Sequence, residues 1–151
     1  MQPPLHRAGV ALAAVILGLA LGACSSDSSG PTASSGSPAP AAVVEGIRHL
    51  DVEGFAALAA TPATVLLDVR TVEEFAAGHL PGAKNLDIRA ADFDAQLAAL
   101  DKTTTYVVYC HSGNRSGQAL QRMGAAGFTR VADLSGGITA WTAAGRATTT
   151  G

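Results

Sequence analysis

The chain has 151 residues, a formal net charge of −2 and only 15% charged residues, and no basic stripe appears along it. This composition argues against a nucleic-acid-binding protein. No glycine-rich dinucleotide motif occurs, and His49, His79 and His111 show no metal-ligand spacing with a cysteine or with one another. We therefore expect neither an organic cofactor nor a bound metal.

The first segment in chain order has the features of an export signal. Arg7 precedes an apolar run over residues 8–21 that is too short for a comfortable membrane span, and the sequence Leu-Gly-Ala-Cys then ends at Cys24. This arrangement resembles a bacterial lipoprotein signal over residues 1–23, which implies a lipid attached to Cys24. The alternatives are an ordinary secretory signal and an uncleaved anchor. In each case we expect export, and the lipid would hold the protein on the cell membrane, facing the periplasm or the outside.

The next segment, residues 24–44, consists almost entirely of Ser, Gly, Pro, Ala and Thr after its first cysteine. Such a composition has almost nothing to bury, so we expect a flexible linker. Residues 45–147 are sufficient for the core of one domain, and residues 148–151 form a short C-terminal tail.

Strand-like and helix-like patterns alternate along residues 45–147. Apolar runs typical of buried strands occur at 65–69 and 106–109, with weaker ones at 47–50, 85–88 and 131–134. Apolar residues at helical spacing lie between them: Val52 with Phe55, Val72 with Phe75, Phe93 with Leu97, Leu120 with Met123, and Ile138 with Trp141. This alternation predicts an α/β domain with a parallel sheet covered on both faces.

Cys110 directly follows the apolar run 105–109 and is followed by a polar loop and a helix-like stretch. In a parallel sheet, ligands bind at the carboxyl ends of the strands, where this thiol is expected. The loop N–H groups, the helix dipole and Arg115 would all favour the reactive thiolate. Gly113 fits a position that requires positive φ. The alternative is that Cys110 is a small buried residue that merely ends a strand.

Four motifs follow one another in the order seen in rhodanese domains: Leu67–Phe75, Gly78–Leu86, Val108–Ser116 and Gly136–Trp141. The chain therefore resembles a single-domain rhodanese over about residues 45–147. The resemblance implies the α/β rhodanese fold with about five parallel strands. It also implies transfer of sulfur from thiosulfate or a similar donor to cyanide or a thiol, through a persulfide on Cys110. In that reading the charged sulfur is held by the backbone amides of His111, Ser112, Gly113, Asn114, Arg115 and Ser116.

The position of Arg115 bears on the choice of reaction. Four residues separate it from Cys110, whereas cysteine-dependent phosphatases place one more residue between cysteine and arginine. The shorter loop resembles the sulfurtransferase branch of the family, so sulfur transfer is favoured over dephosphorylation. A second alternative is a non-catalytic persulfide carrier or protein-binding module, whose partner the sequence does not identify.

Other polar residues near these motifs receive supporting roles. Asp68 and Arg70 follow a strand expected beside that of Cys110, and we expect them to form an ion pair that braces the loop. The side chain of His111 is expected to point away from the loop centre. For Glu74 a favourable interaction with a helix dipole is a sufficient explanation, and for His79 a hydrogen bond within a turn.

Overall fold

A computed structural model describes residues 45–150, so Cys24, the predicted signal and the predicted linker lie outside the described residues. The strands are β1 (Gly46–Leu50), β2 (Thr64–Asp68), β3 (Lys84–Asn85), β4 (Thr105–Tyr109) and β5 (Arg130–Leu134). The helices are α1 (Val52–Ala59), α2 (Val72–Ala77), α3 (Phe93–Ala98), α4 (Asn114–Ala125) and α5 (Gly137–Ala143).

The five strands form one parallel sheet in the order β1-β5-β4-β2-β3. β4 is the central strand, with β5 on one side and β2 on the other. Each parallel connection carries a helix across a face of the sheet, as this strand direction requires. The predicted fold class, a parallel five-stranded α/β sheet, is therefore confirmed.

Side chains of β4 alternate between two cores, one on each face of the sheet. Tyr106, Val108 and the following Cys110 belong to a cluster that includes buried residues of α3 and α4. Val107 and Tyr109 belong to a second cluster with buried residues of α1 and α5. This two-residue period explains why both faces of the strand are buried over residues 106–109 and why Cys110 lies on the same face as α4.

Two local predictions differ from the structure. The sequence predicts a strand over 85–88, but β3 contains only Lys84–Asn85, although Leu86 and Ile88 are buried beyond it. Val72 is predicted to face the core, yet it is 62% exposed and no residue of α2 is buried. A capping box between Thr71 and Glu74, rather than burial, stabilises the beginning of α2.

The end of the described chain packs beside the turn that follows α2. His79 and Thr149 exchange two backbone hydrogen bonds of 2.8 Å. The His79 ring stacks on Phe75 at 3.7 Å between centroids, and its Nδ1 lies 2.9 Å from the Phe75 carbonyl oxygen. The predicted turn histidine is therefore hydrogen-bonded within the fold. Within residues 45–150 no helix is both long enough and apolar enough to cross a membrane.

Candidate active site

Cys110 lies at the carboxyl end of the central strand, where the chain leaves the sheet. The residue is only 1% exposed and packs within the core between the sheet and α4. It is the free cysteine of the described residues. Burial alone fits both a catalytic thiol at the base of a loop and a small core residue, so the surrounding polar groups decide its chemistry.

Gly113 brings the backbone of the loop over the sulfur. Its φ is +94°, and its N–H donates a hydrogen bond of 3.1 Å to Cys110 Sγ. A Cβ at this position would lie 3.2 Å from the Gly136 nitrogen, so the close packing of two backbones also favours glycine. The expected positive φ at Gly113 is confirmed.

The first turn of α4 directs further N–H groups towards the same region. The N–H of Gly117 donates a hydrogen bond of 3.0 Å to the Gly113 carbonyl oxygen. The N–H groups of residues 114–116 precede it in the first turn, where an α-helix offers them no intrahelical acceptor. Together with the partial positive charge of the helix N-terminus, they suit a negatively charged sulfur.

The beginning of α5 fixes the other side of the loop. Ile138 N–H donates to the Cys110 carbonyl at 2.8 Å. The His111 carbonyl accepts from both the N–H and the hydroxyl of Thr139, at 3.2 and 2.9 Å. Because these carbonyls are bound on the α5 side, the peptide planes of the loop cannot turn freely. Sequence reasoning missed this contact, whose only signal is the Gly136-Gly137 pair.

Arg115 forms a bidentate ion pair with Glu74 of α2. Its two terminal nitrogens donate to the Glu74 carboxylate at 2.6 and 2.8 Å, and the side chains are 17% and 33% exposed. The hydrogen bond from Arg115 lowers the pKa of Glu74 to about 2, despite partial burial. The role of Glu74 is therefore not limited to a favourable interaction with the dipole of α2, because its carboxylate also holds the side chain of Arg115.

Asp68 and Arg70 form the ion pair expected beside the loop. Asp68 is fully buried at the end of β2, opposite Tyr109 of β4, and accepts from Arg70 Nε at 3.0 Å with both oxygens. Arg70 also donates to the Gly78 carbonyl at 2.7 Å, and burial raises the pKa of Tyr109 nearby. The pair joins β2 to the turn after α2. The described residues show no hydrogen bond from it to the Cys110 loop.

Most polar side chains of the loop point away from the sulfur. His111 and Ser112 are exposed, and Asn114 accepts a 2.7 Å hydrogen bond from Gln118 one turn along α4. Ser116 is buried and its hydroxyl reaches Asp133 of β5 at 3.0 Å. This orientation agrees with a loop that uses its backbone N–H groups as the binding groups.

Among residues 45–150, no candidate metal-binding cluster includes Cys110, and the groove described below lies away from this loop. Within residues 45–150 no group of three or more His, Cys, Asp or Glu side chains is placed to hold a metal ion. A groove of about 480 Å³ runs between α1, β2 and Trp141, and none of residues 110–116 lines it. The loop amides lie beside Cys110, and Arg115 belongs to the same loop.

A small parallel α/β domain whose central strand leads through a cysteine-containing loop into a helix is typical of rhodanese-like domains. The rhodanese-like domain family matches residues 51–144, and the chain belongs to that family. The predicted resemblance is thus confirmed for the domain. The lipoprotein signal remains a prediction.

Curated relatives include sulfurtransferases. A protein named sulfurtransferase from Allochromatium vinosum is 35% identical over 96 residues, covering 63% of this chain and 88% of that protein. The thiosulfate sulfurtransferase GlpE of Pseudomonas fluorescens is 36% identical over 78 residues, covering 51% and 69% of the two chains. An uncharacterized Synechocystis protein is 41% identical over 83 residues, but this chain spans only 45% of it.

Solved structures show the same fold. A crystal structure of the Alr3790 protein from Anabaena sp. superposes with a TM-score of 0.60 at 30% identity, covering 67% of this chain and 82% of that chain. A thiosulfate sulfurtransferase from Pseudomonas aeruginosa superposes with a TM-score of 0.57 at 30% identity, although this chain covers only 19% of it. The architecture of the domain and its membership of the rhodanese-like family are therefore established.

Proposed function

We propose that this domain moves sulfane sulfur from thiosulfate or a similar donor to cyanide or a thiol, through a persulfide on Cys110. The observation that carries the proposal is the Gly113 N–H placed 3.1 Å from Cys110 Sγ at the N-terminus of α4. Such a surrounding stabilises negative charge on sulfur. The relatives named thiosulfate sulfurtransferase support the same chemistry.

The reaction consists of two transfers. In the first, the Cys110 thiolate attacks the outer sulfur of thiosulfate and forms a new S–S bond. The bond between that sulfur and the sulfonate sulfur breaks, and sulfite leaves with the electron pair. In the second, cyanide or a thiolate attacks the outer sulfur of the persulfide and releases the Cys110 thiolate. The negative charge lies on the Cys110 thiolate before the first transfer and on the outer sulfur of the persulfide after it. The loop amides would stabilise both charged forms.

The burial of Cys110 favours a second candidate, a module that carries a persulfide or binds a partner without turnover on small molecules. A thiol that is 1% exposed offers a small target to a free donor. A partner protein that moves the loop would expose it. The two functions differ in whether the isolated domain turns over.

Two assays on the purified domain separate these functions and the phosphatase alternative. A sulfurtransferase should form thiocyanate from thiosulfate and cyanide and should not hydrolyse a generic aryl phosphate. A carrier or binding module should do neither at an appreciable rate. Aryl phosphate hydrolysis without thiocyanate formation would replace the proposal with the phosphatase.

Arg115→Ala is expected to lower kcat/KM for thiosulfate by about tenfold. A hydrogen bond to a charged group contributes about 1.5–3 kcal/mol, reduced here by partial exposure. The change also leaves the Glu74 carboxylate without its bidentate partner, and that charge would repel an anionic donor. Kinetics with thiosulfate and with an uncharged organic trisulfide should show a smaller loss for the trisulfide.

The double variant Glu74→Gln with Arg115→Ala is the control for this repulsion. It removes both members of the pair and should recover part of the thiosulfate activity. If Arg115→Ala matched the wild type with thiosulfate, the guanidinium would have no part in attracting the donor.

We also propose that the mature protein is lipid-anchored through Cys24, after export. The support is the sequence itself: an apolar run after Arg7 that ends in Leu-Gly-Ala-Cys. The linker predicted over residues 24–44 would let the active site work away from the membrane surface.

Cys24→Ala is expected to abolish metabolic labelling with a radioactive fatty acid, because the thiol is the proposed site of attachment. The matched control is Cys110→Ser, which removes the other cysteine and should keep the label. Unchanged labelling of Cys24→Ala would contradict the proposed anchor.

A further inference from the structure

Asp133 of β5 is a buried carboxylate that the sulfur-transfer steps do not use. Its side chain is 3% exposed and lies beside Val108 of β4 in the register of the sheet. An ionised group at such a position costs several kcal/mol unless it is paired and hydrogen-bonded. Its neighbours on the strand, Ala132 and Leu134, are apolar.

Each oxygen of Asp133 has one partner. Oδ1 lies 2.6 Å from His49 Nδ1, on the adjacent edge strand, where His49 pairs with Asp133 in register. Oδ2 accepts a 3.0 Å hydrogen bond from the Ser116 hydroxyl in the first turn of α4. The His49 side chain is 66% exposed, so the contacts run from the protein surface to the loop.

Ser116 continues these contacts to the sulfur. Its Oγ lies 3.0 Å from the Gly113 carbonyl oxygen as well as from Asp133 Oδ2, and the single hydroxyl proton is shared between these two acceptors. The N–H of Gly113 is the group that donates to Cys110 Sγ. Movement of Ser116 would therefore shift the residue that contacts the reacting atom.

We propose that Asp133 and Ser116 are positioning residues for the sulfur-carrying loop, and that His49 orients Asp133 from the surface. The proposal rests on the proposed persulfide chemistry at Cys110. Asp133 fixes the Ser116 hydroxyl, which lies against the Gly113 carbonyl oxygen at the beginning of α4, and the N–H of Gly113 faces the charged sulfur. A hydrogen-bond donor fixed in this way acts on the chemical step. It leaves the binding of the sulfur-donor molecule unchanged.

Asp133→Asn is the first test, because it keeps the shape of the side chain and removes its charge. We expect kcat with thiosulfate to fall by about tenfold or more, by analogy with supporting residues in other sites, while KM changes little. The rate of Cys110 alkylation by iodoacetamide should fall as well. Asp92→Asn is the matched control, since Asp92 is exposed and makes no side-chain capping bond.

Variants of His49 give a test that does not disturb the core. His49→Asn keeps a nitrogen donor near the place of Nδ1 and should retain activity, whereas His49→Ala should lose part of kcat. Arg48→Gln removes an exposed side chain from the same strand and should behave as the wild type. This series remains informative if Asp133→Asn fails to fold.

Two results would overturn the proposal. One is a lowered thermal midpoint in Asp133→Asn with unchanged kcat and alkylation rate per folded molecule, which would make the contacts purely structural. The other is equal activity of His49→Ala and His49→Asn. If the wild type formed no thiocyanate, the proposed function would fail, and the alkylation rates of the same variants would still decide the positioning role.

Discussion

Cys110→Ser is expected to abolish thiocyanate formation and to leave the folded domain unchanged in mass after incubation with thiosulfate. The wild type should gain one sulfur atom, about 32 Da, because a persulfide is the intermediate of a two-step transfer. Cyanide should remove that mass. A serine hydroxyl has neither the acidity nor the sulfur chemistry needed to replace the thiolate. Intact-mass spectrometry before and after cyanide measures both expectations.

The fold is the control for this experiment. Cys110 is buried and serine is close to cysteine in size, so the thermal midpoint of Cys110→Ser should stay close to that of the wild type although its activity is lost. Cys110→Ala tests whether the hydroxyl retains any function, and it should be equally inactive. Thiocyanate formation by Cys110→Ser would show that Cys110 is not the sulfur carrier. If the wild type gained no sulfur with any donor, the binding module would be favoured instead.

The architecture could be predicted because its signals are local. Residues 106–109 are Tyr, Val, Val and Tyr and all are buried, which is typical of a strand covered on both faces, and β4 is that central strand. Leu120 and Met123 at helical spacing are indeed buried on α4. Connections between these elements are short, so α1 and α4 each pack on the sheet between the two strands that the helix joins in the sequence.

The elements that were predicted poorly lie at the edge of the sheet. β3 is an edge strand paired with β2 over only two residues, so apolar residues beyond it are buried without forming a strand. α2 buries none of its residues, and the spacing of Val72 and Phe75 therefore carries no information about a core face. The beginning of α2 is instead stabilised by the capping box between Thr71 and Glu74.

Within the candidate site, the residues that lie on one segment of the chain could be predicted from the sequence. The contacts between residues of different segments could not. Cys110 and Gly113 belong to one loop, and their order predicts a turn over a strand-end thiol. Glu74 of α2 and Asp133 of β5 contact that loop, and His49 of β1 contacts Asp133, over separations that no spacing rule covers. Only the folded chain brings them together.

Gly137→Ala is expected to have the largest effect among substitutions away from the thiol. Gly137 begins α5 with a φ of +58°, is buried, and lies against the loop backbone. A Cβ there would overlap the Cys110 carbonyl oxygen and would lie 2.6 Å from the carbonyl carbon and oxygen of His111. Since Ile138 and Thr139 bind these same carbonyls, relief of the overlap requires the loop and α5 to separate.

We expect Gly137→Ala to lower the free energy of unfolding by about 3 kcal/mol, from the left-handed backbone and the overlap together. Gly145→Ala is the matched control, because Gly145 has a φ of +71° and open space around the added carbon. It should cost only about 1 kcal/mol, the conformational part alone. Thermal or urea unfolding of the two variants measures the difference, and thiocyanate formation per folded molecule should fall only in Gly137→Ala. Equal destabilisation by the two alanines would mean that α5 does not constrain the loop, and the amides would then owe their orientation to α4 alone.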